Sequence, residues 1–151
     1  MLKIYIDADA CPVKEEVYRV AERYDLDVTV VANSRMRIPG VGKIRLEVVG
    51  DGLDAADDWI ADIVEGGDIV ISADIPLAAR CLEKGAAVIG PAGRPFTEDN
   101  IGEVMATRGL LSELRETGEV TGGPPPFGKK DRSRFLQRLD EAVHAIRRKQ
   151  R

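Results

Sequence analysis

The chain opens Met1-Leu2-Lys3-Ile4-Tyr5-Ile6-Asp7-Ala8-Asp9-Ala10-Cys11-Pro12-Val13, and its reading follows from those residues. Leu2 to Ile6 is a short hydrophobic strand that ends on two carboxylates, Asp7 and Asp9. Cys11-Pro12 comes next, and proline suits the first position of a helix, where its missing N–H would have no partner anyway. In an open α/β sheet, ligands bind just beyond the carboxyl ends of the strands. Two acids therefore stand where a site is expected.

Working outward, Val13, Val17, Val20, Ala21 and Tyr24 recur at helical spacing, which predicts a helix from Pro12 to Tyr24 with one buried stripe. Asp27 to Ala32 is a second strand, ended by Asn33-Ser34, and the basic stretch Arg35 to Lys43 with Pro39, Gly40 and Gly42 reads as a loop. Ile44 to Val49 is a third strand. Asp54 stands at a cap position before a helix with Ala56, Trp59, Ile60 and Ile63 on its apolar face. Asp68 to Ser72 is a near-continuous apolar run, as in a strand buried on both faces. Asp74 follows, a helix runs from Pro76 to Lys84, and Ala86 to Ile89 is a last short strand broken by Gly90-Pro91-Ala92-Gly93. Strands alternating with helices predict a mostly parallel sheet covered on both faces. From Thr97 onward the pattern is helical only. Thr97 caps a helix with Ile101, Val104, Met105, Leu111 and Leu114 inward, Gly122 to Phe127 is a rigid connector, and Asp131 caps a terminal helix with Phe135, Leu139, Val143 and Ile146 inward.

A chain of 151 residues is read as one domain, residues 1–151, large enough to bury a core. With 44% hydrophobic and 32% charged residues it has a globular composition. No apolar run approaches the roughly 20 residues that span a bilayer, and no leader-type segment opens the chain. A cytoplasmic protein with reduced Cys11 and Cys81 is expected. The net charge of −4 conceals an asymmetry: residues 128–151 hold nine Lys/Arg against three Asp/Glu, and the remainder hold 13 against 23. A basic tail on an acidic body is either an electrostatic footprint for nucleic acid or a solvated helix end whose last-turn cations the dipole favours.

Several acids follow strands. Asp7 and Asp9 follow the first, Asp54, Asp57 and Asp58 open the helix after the third, and Asp74 follows the fourth. In a doubly wound sheet with the first and fourth strands adjacent, Asp7, Asp9 and Asp74 converge at the switch point. Clustered carboxylates raise one another's pKa, and a hard divalent cation, Mg²⁺ or Mn²⁺, resolves that conflict. Each acid also has a plainer role: Asp54, Asp9 and Asp74 as caps, Asp57 and Asp58 as first-turn acids favoured by the helix dipole. Cys11 reads as a buried inert thiol rather than a nucleophile, and His144 as a packing or surface residue. Lys14, Arg35, Arg37 and Lys43 are candidate phosphate contacts.

Asp7 to Lys14 (D-A-D-A-C-P-V-K), Ala32-Asn33, the D-x-x-D-D of Asp54 to Asp58, Ser72 to Ala78 (S-A-D-I-P-L-A), Gly122 to Phe127 (G-G-P-P-P-F) and the D-R-S-x-F of Asp131 to Phe135 together resemble the YaiI/YqxD family of uncharacterised bacterial proteins. That family looks related to the PIN-like superfamily. The relation implies a three-layer domain: a mostly parallel sheet of about five strands in the order 3-2-1-4-5, helices on both faces, and two C-terminal helices. It also implies an acidic, Mg²⁺- or Mn²⁺-dependent nuclease site, with Asp7 as the acid ending the first strand and Asp74 as the acid after the fourth.

The expectation is thus a metal-dependent nuclease or phosphodiesterase acting on RNA. Asp7, Asp9 and Asp74 are its catalytic acids and, with Asp57 and Asp58, its metal ligands. Lys14, Asn33, Arg35, Arg37 and Ser72 are its substrate contacts. Two alternatives stand beside it. A haloacid-dehalogenase-type phosphatase would also begin with a strand and D-x-D, and Ile69 to Ser72 imitates its second motif, but no later strand ends in the acidic pair that class uses. A non-enzymatic RNA- or protein-binding module would need no metal and would tolerate Asp7→Asn.

Overall fold

The computed structural model describes residues 2–8, 11–40, 42–50, 52, 54–97, 100–101 and 128–149. Asp9, the Gly122–Phe127 connector and most of the helix expected after Thr97 lie outside them. Among the described residues the chain forms ten elements, in the order β1 (Lys3–Asp7), α1 (Lys14–Tyr24), β2 (Asp27–Ala32), β3 (Ile44–Val48), α2 (Ala55–Ile63), β4 (Ile69–Ile71), α3 (Ile75–Glu83), β5 (Ala87–Ile89), β6 (Pro95–Phe96) and α4 (Lys129–Lys149). The strands form one sheet in the order β3-β2-β1-β4-β5-β6. All pairings are parallel except β5 with β6. From β1 the chain builds outward through β2 and β3, then returns to lay β4 and β5 on the other side. The switch point therefore falls between β1 and β4.

The strand period sorts side chains between two cores. Ile4 and Ile6 of β1, Val28 and Val30 of β2, and Ile69 and Ile71 of β4 point to one face, where Val13, Val17 and Val20 before and within α1 meet Phe135, Leu139 and Val143 of α4. Tyr5, Val31, Val70 and Val88 point to the other, against Ile60 of α2 and Leu77, Ala78 and Cys81 of α3. Phe135, Leu139 and Val143 are fully buried, so α4 is a layer of the fold and not an appendage.

Several expectations are corrected in detail. Pro12 lies in the turn before α1, whose cap position is Val13, with no side-chain cap bond. Asp131 is not the cap of α4: it sits inside the first turn, and its Oδ2 accepts from the Gly128 N–H at 2.9 Å, one half of a capping box. Thr97 does cap as expected, with Asn100 N–H donating to Thr97 Oγ1 at 3.2 Å and Thr97 N–H to Asn100 Oδ1 at 2.9 Å. Ile63 is 47% exposed, because the buried stripe of α2 runs through Ala56, Ile60 and Ala61 to Val64. A sixth strand was not foreseen. At two residues it has no periodicity to read, and Pro95 is tolerated there because β6 is the edge of the sheet among the described residues. Between β2 and β3 the parallel crossover carries no helix. Met36 and Ile38 of the connecting loop pack on the α1-side core in its place.

Candidate acidic site

Asp7 ends β1, and by strand alternation it shares the face of Tyr5, the face that α2 and α3 cover. Ser72 follows β4 and is buried at 2% exposure. Its hydroxyl donates to Asp7 Oδ2 at 2.9 Å and its Oγ accepts from the Asp74 N–H at 2.9 Å. A single buried hydroxyl thus fixes the Asp7 carboxylate and the start of α3 together. Asp74 is the cap of α3, its Oδ1 accepting from the Leu77 N–H at 2.9 Å. Asp74 is thus a cap, as its plain reading has it: one oxygen serves the helix, and the carboxyl also bonds Asp57.

Asp57 comes in from the first turn of α2. Its carboxyl is pushed up from 3.8 to about 7, by burial first, then by the charges of Asp74 and Asp7, a side-chain hydrogen bond with Asp74, and the charge of Asp54. Three elements far apart in sequence therefore bring Asp7, Asp74 and Asp57 to one corner of the carboxyl rim, at the β1–β4 switch point. Like charges at such range cannot all ionise freely, and the proton stays on the most desolvated member. Among the described residues, no three His, Cys, Asp or Glu side chains are gathered closely enough to hold a metal ion. Asp9 lies outside the described residues.

Other predicted residues are placed differently. Asp58 turns to the outside of α2, where its Oδ1 meets Arg80 of α3 at 2.8 Å. Asp54 occupies the cap position of α2 and is exposed, with no side-chain cap bond. Lys14 donates from Nζ to the Cys11 carbonyl at 2.8 Å, bracing its own turn. Asn33 is half-buried just after β2, and Arg35 and Arg37 are exposed on the loop beyond it. Lys43 pairs with Asp25 at 3.2 Å, by the start of β3, on the rim opposite the acids. Both cysteines are buried and unbridged, and burial raises both thiols, Cys81 to about 11, which suits inert packing groups. His144 bonds Tyr24 Oη at 2.7 Å between α1 and α4.

The feature that residue reading missed is the coupling of Ser72 to two acids at once. Ser72 was legible as a motif residue, but a hydroxyl at the end of a buried strand shows its partners only once β1 and β4 are neighbours.

No helix among the described residues is long and apolar enough to cross a membrane. No solved structure matches the chain. A family model described as "Uncharacterized BCR, YaiI/YqxD family" matches residues 5–145. A UPF0178 protein of Rhodopseudomonas palustris strain TIE-1 is 55% identical over 149 residues, covering 99% of this chain and 94% of the relative. UPF0178 proteins of Paramagnetospirillum magneticum (58% over 148 residues, 98% of each chain) and Parvibaculum lavamentivorans (58% over 149 residues, 99% and 98%) are equally similar along their length. With the match running through the acidic corner and on into α4, the chain belongs to the YaiI/YqxD family.

Proposed function

We propose that the chain is a Mg²⁺- or Mn²⁺-dependent phosphodiesterase of the nuclease type acting on RNA, with Asp7, Asp57 and Asp74, joined by Asp9, as the acids that a cation would draw together. The observation that carries this reading is the meeting of carboxylates from β1, α2 and α3 at one corner, where burial first and then the charges of Asp74 and Asp7 raise Asp57 to about 7. The donor chemistry fits a hard divalent cation, since the set is all carboxylate oxygen and offers none of the nitrogen or thiolate that zinc prefers. When bound, such a cation would supply Lewis-acid polarisation of a phosphoryl oxygen and a lowered pKa for a water.

The chain's own residues do the rest. Ser72 holds Asp7 in one orientation through Oδ2. The Leu77 N–H holds Asp74 through Oδ1. Asp57 holds a proton on the carboxyl that faces Asp74 and releases it near neutral pH. A site of this kind is preorganised by groups that are themselves bonded to the backbone.

Titration calorimetry with Mn²⁺ on wild type and Asp7→Asn, followed by incubation with a mixed RNA pool, tests the reading. Wild type should give metal-dependent heat and chelator-sensitive cleavage, and Asp7→Asn should lose both. A wild-type protein that shows neither ends the proposal. An aspartyl-phosphate trapped on Asp7 would assign a haloacid-dehalogenase-type phosphatase instead. The residues after β5, Gly90-Pro91-Ala92-Gly93, lack the acidic pair that such an enzyme needs.

A further inference from the structure

The first turns of α4 carry an exposed basic groove of about 480 Å³, lined by Lys129, Lys130, Ser133, Arg134, Gln137 and Arg138. Of the acids near it, Asp131 lies 3.8 Å from Arg134, and Glu141 accepts from Arg138 at 3.3 Å and from Gln137 at 3.2 Å, with both arginines exposed to solvent. Pairs of that kind hold a guanidinium weakly. The placement of the cations is itself unusual. Arg147, Arg148 and Lys149 stand in the last turn, where the helix dipole favours them, but Lys129 and Lys130 stand in the first, where it does not. A local preference broken without a packing gain is a mark of function.

The groove also starts in a particular place. At the beginning of α4, Arg132 donates to the Pro12 carbonyl at 2.7 Å and to Glu16 Oε1 at 3.1 Å. Further along, Arg23 and Tyr24 of α1 meet Asp140 at 3.1 and 2.7 Å. The two helices therefore run side by side in the same direction, and both begin at the carboxyl rim of the sheet. Arg134 packs over Gly93, in the turn that follows β5 on that rim. The basic groove and the acidic corner thus share one end of the molecule.

We propose that this groove holds the phosphodiester backbone of a single RNA strand and leads it onto the acidic rim, an inference that rests on the nuclease reading above. Arginine forks with serine and glutamine between them suit phosphate oxygens. The six lining residues offer cations and hydroxyl and amide groups, which favour phosphate contacts over base readout. A lipid surface does not fit, because the apolar side of α4 (Phe135, Leu139, Val143) is wholly buried and leaves nothing to enter a bilayer.

The test is fluorescence anisotropy of a labelled single-stranded oligoribonucleotide of mixed sequence, with EDTA present so that binding is read without cleavage, over a series of KCl concentrations. The full chain is compared with Lys129→Gln/Lys130→Gln/Arg138→Gln and, as a control at the far end of α4, with Arg148→Gln/Lys149→Gln. Circular dichroism melts verify that all three fold alike. The groove variant should bind about tenfold or more weakly, with the slope of log K against log salt reduced by about 2, as expected for three lost phosphate contacts to a single strand. The control should keep the wild-type slope. Unchanged binding by the groove variant, an equal loss in the control, or binding to anionic vesicles that the oligoribonucleotide does not displace would overturn the proposal. Asp7→Asn separates the two readings: it should bind RNA as wild type does, so lost cleavage with retained binding speaks to the acids alone.

Discussion

At the scale of the residue, Asp57 is the most informative group in the molecule. Its carboxyl rises from 3.8 to about 7 on folding, so the folded chain binds a proton there that the unfolded chain has released. The sign follows: the stability tied to this proton is fully present below pH ~4 and is lost as pH rises through about 7. Thermal melts in EDTA should therefore show wild type losing stability across that window. Asp57→Asn, which imitates the protonated group, should be flatter with pH and the more stable of the two at pH 8. Mn²⁺ should raise the wild-type melting temperature at pH 8 and much less at pH 5, where the proton competes. A wild-type profile that is flat from pH 4 to 8 would contradict the coupling of Asp57 to its neighbours. Two carboxylates of one D-x-x-D-D run thus end in opposite situations, Asp57 in the corner and Asp58 outside on Arg80. Adjacent helical positions point about 100° apart, so the acids were legible as a group but their division was not.

At the scale of the element, α4 is positioned by a close contact. Gly93 has φ +88, and a Cβ built on it would lie 2.9 Å from Arg134 Cγ and 3.0 Å from the backbone of Arg134 and Phe135. Gly93→Ala should cost about 2 kcal/mol or more in denaturant unfolding, because both the backbone conformation and the helix would have to give. A loss under about 0.5 kcal/mol would show that α4 yields easily there. The helix stripes were readable in advance because the 3.6-residue period is local: Val13, Val17 and Val20 in one, Phe135, Leu139 and Val143 in the other. β6 and the helix-free crossover between β2 and β3 were not, since both depend on what an edge or a core elsewhere leaves open.

At the scale of the whole molecule, the sheet is sandwiched between two cores, and α4 closes one of them against α1. Leu139 is fully buried in that core, so Leu139→Ala should cost about 2–5 kcal/mol in equilibrium unfolding. A cost below 1 kcal/mol would mean that α4 merely rests on the sheet. Charge is divided at this scale too. The basic groove and the acidic corner lie at one rim on different faces, an arrangement that a net charge of −4 does not disclose.

β1 to β5, α1 to α4 and the mostly parallel character of the sheet followed from sequence alone, because propensity, hydrophobic period and capping act over a few residues. The β1–β4 adjacency agreed with the expectation drawn from family resemblance, and it made Ser72 a bridge between Asp7 and Asp74. Only the tertiary structure decided which acids share charge, that Asp58 and Arg80 pair on the helix exterior, and that the start of α4 reaches the carboxyl rim of the sheet. Those are properties of distance between segments that are remote along the chain, and the energies that set them fall off within a few ångströms.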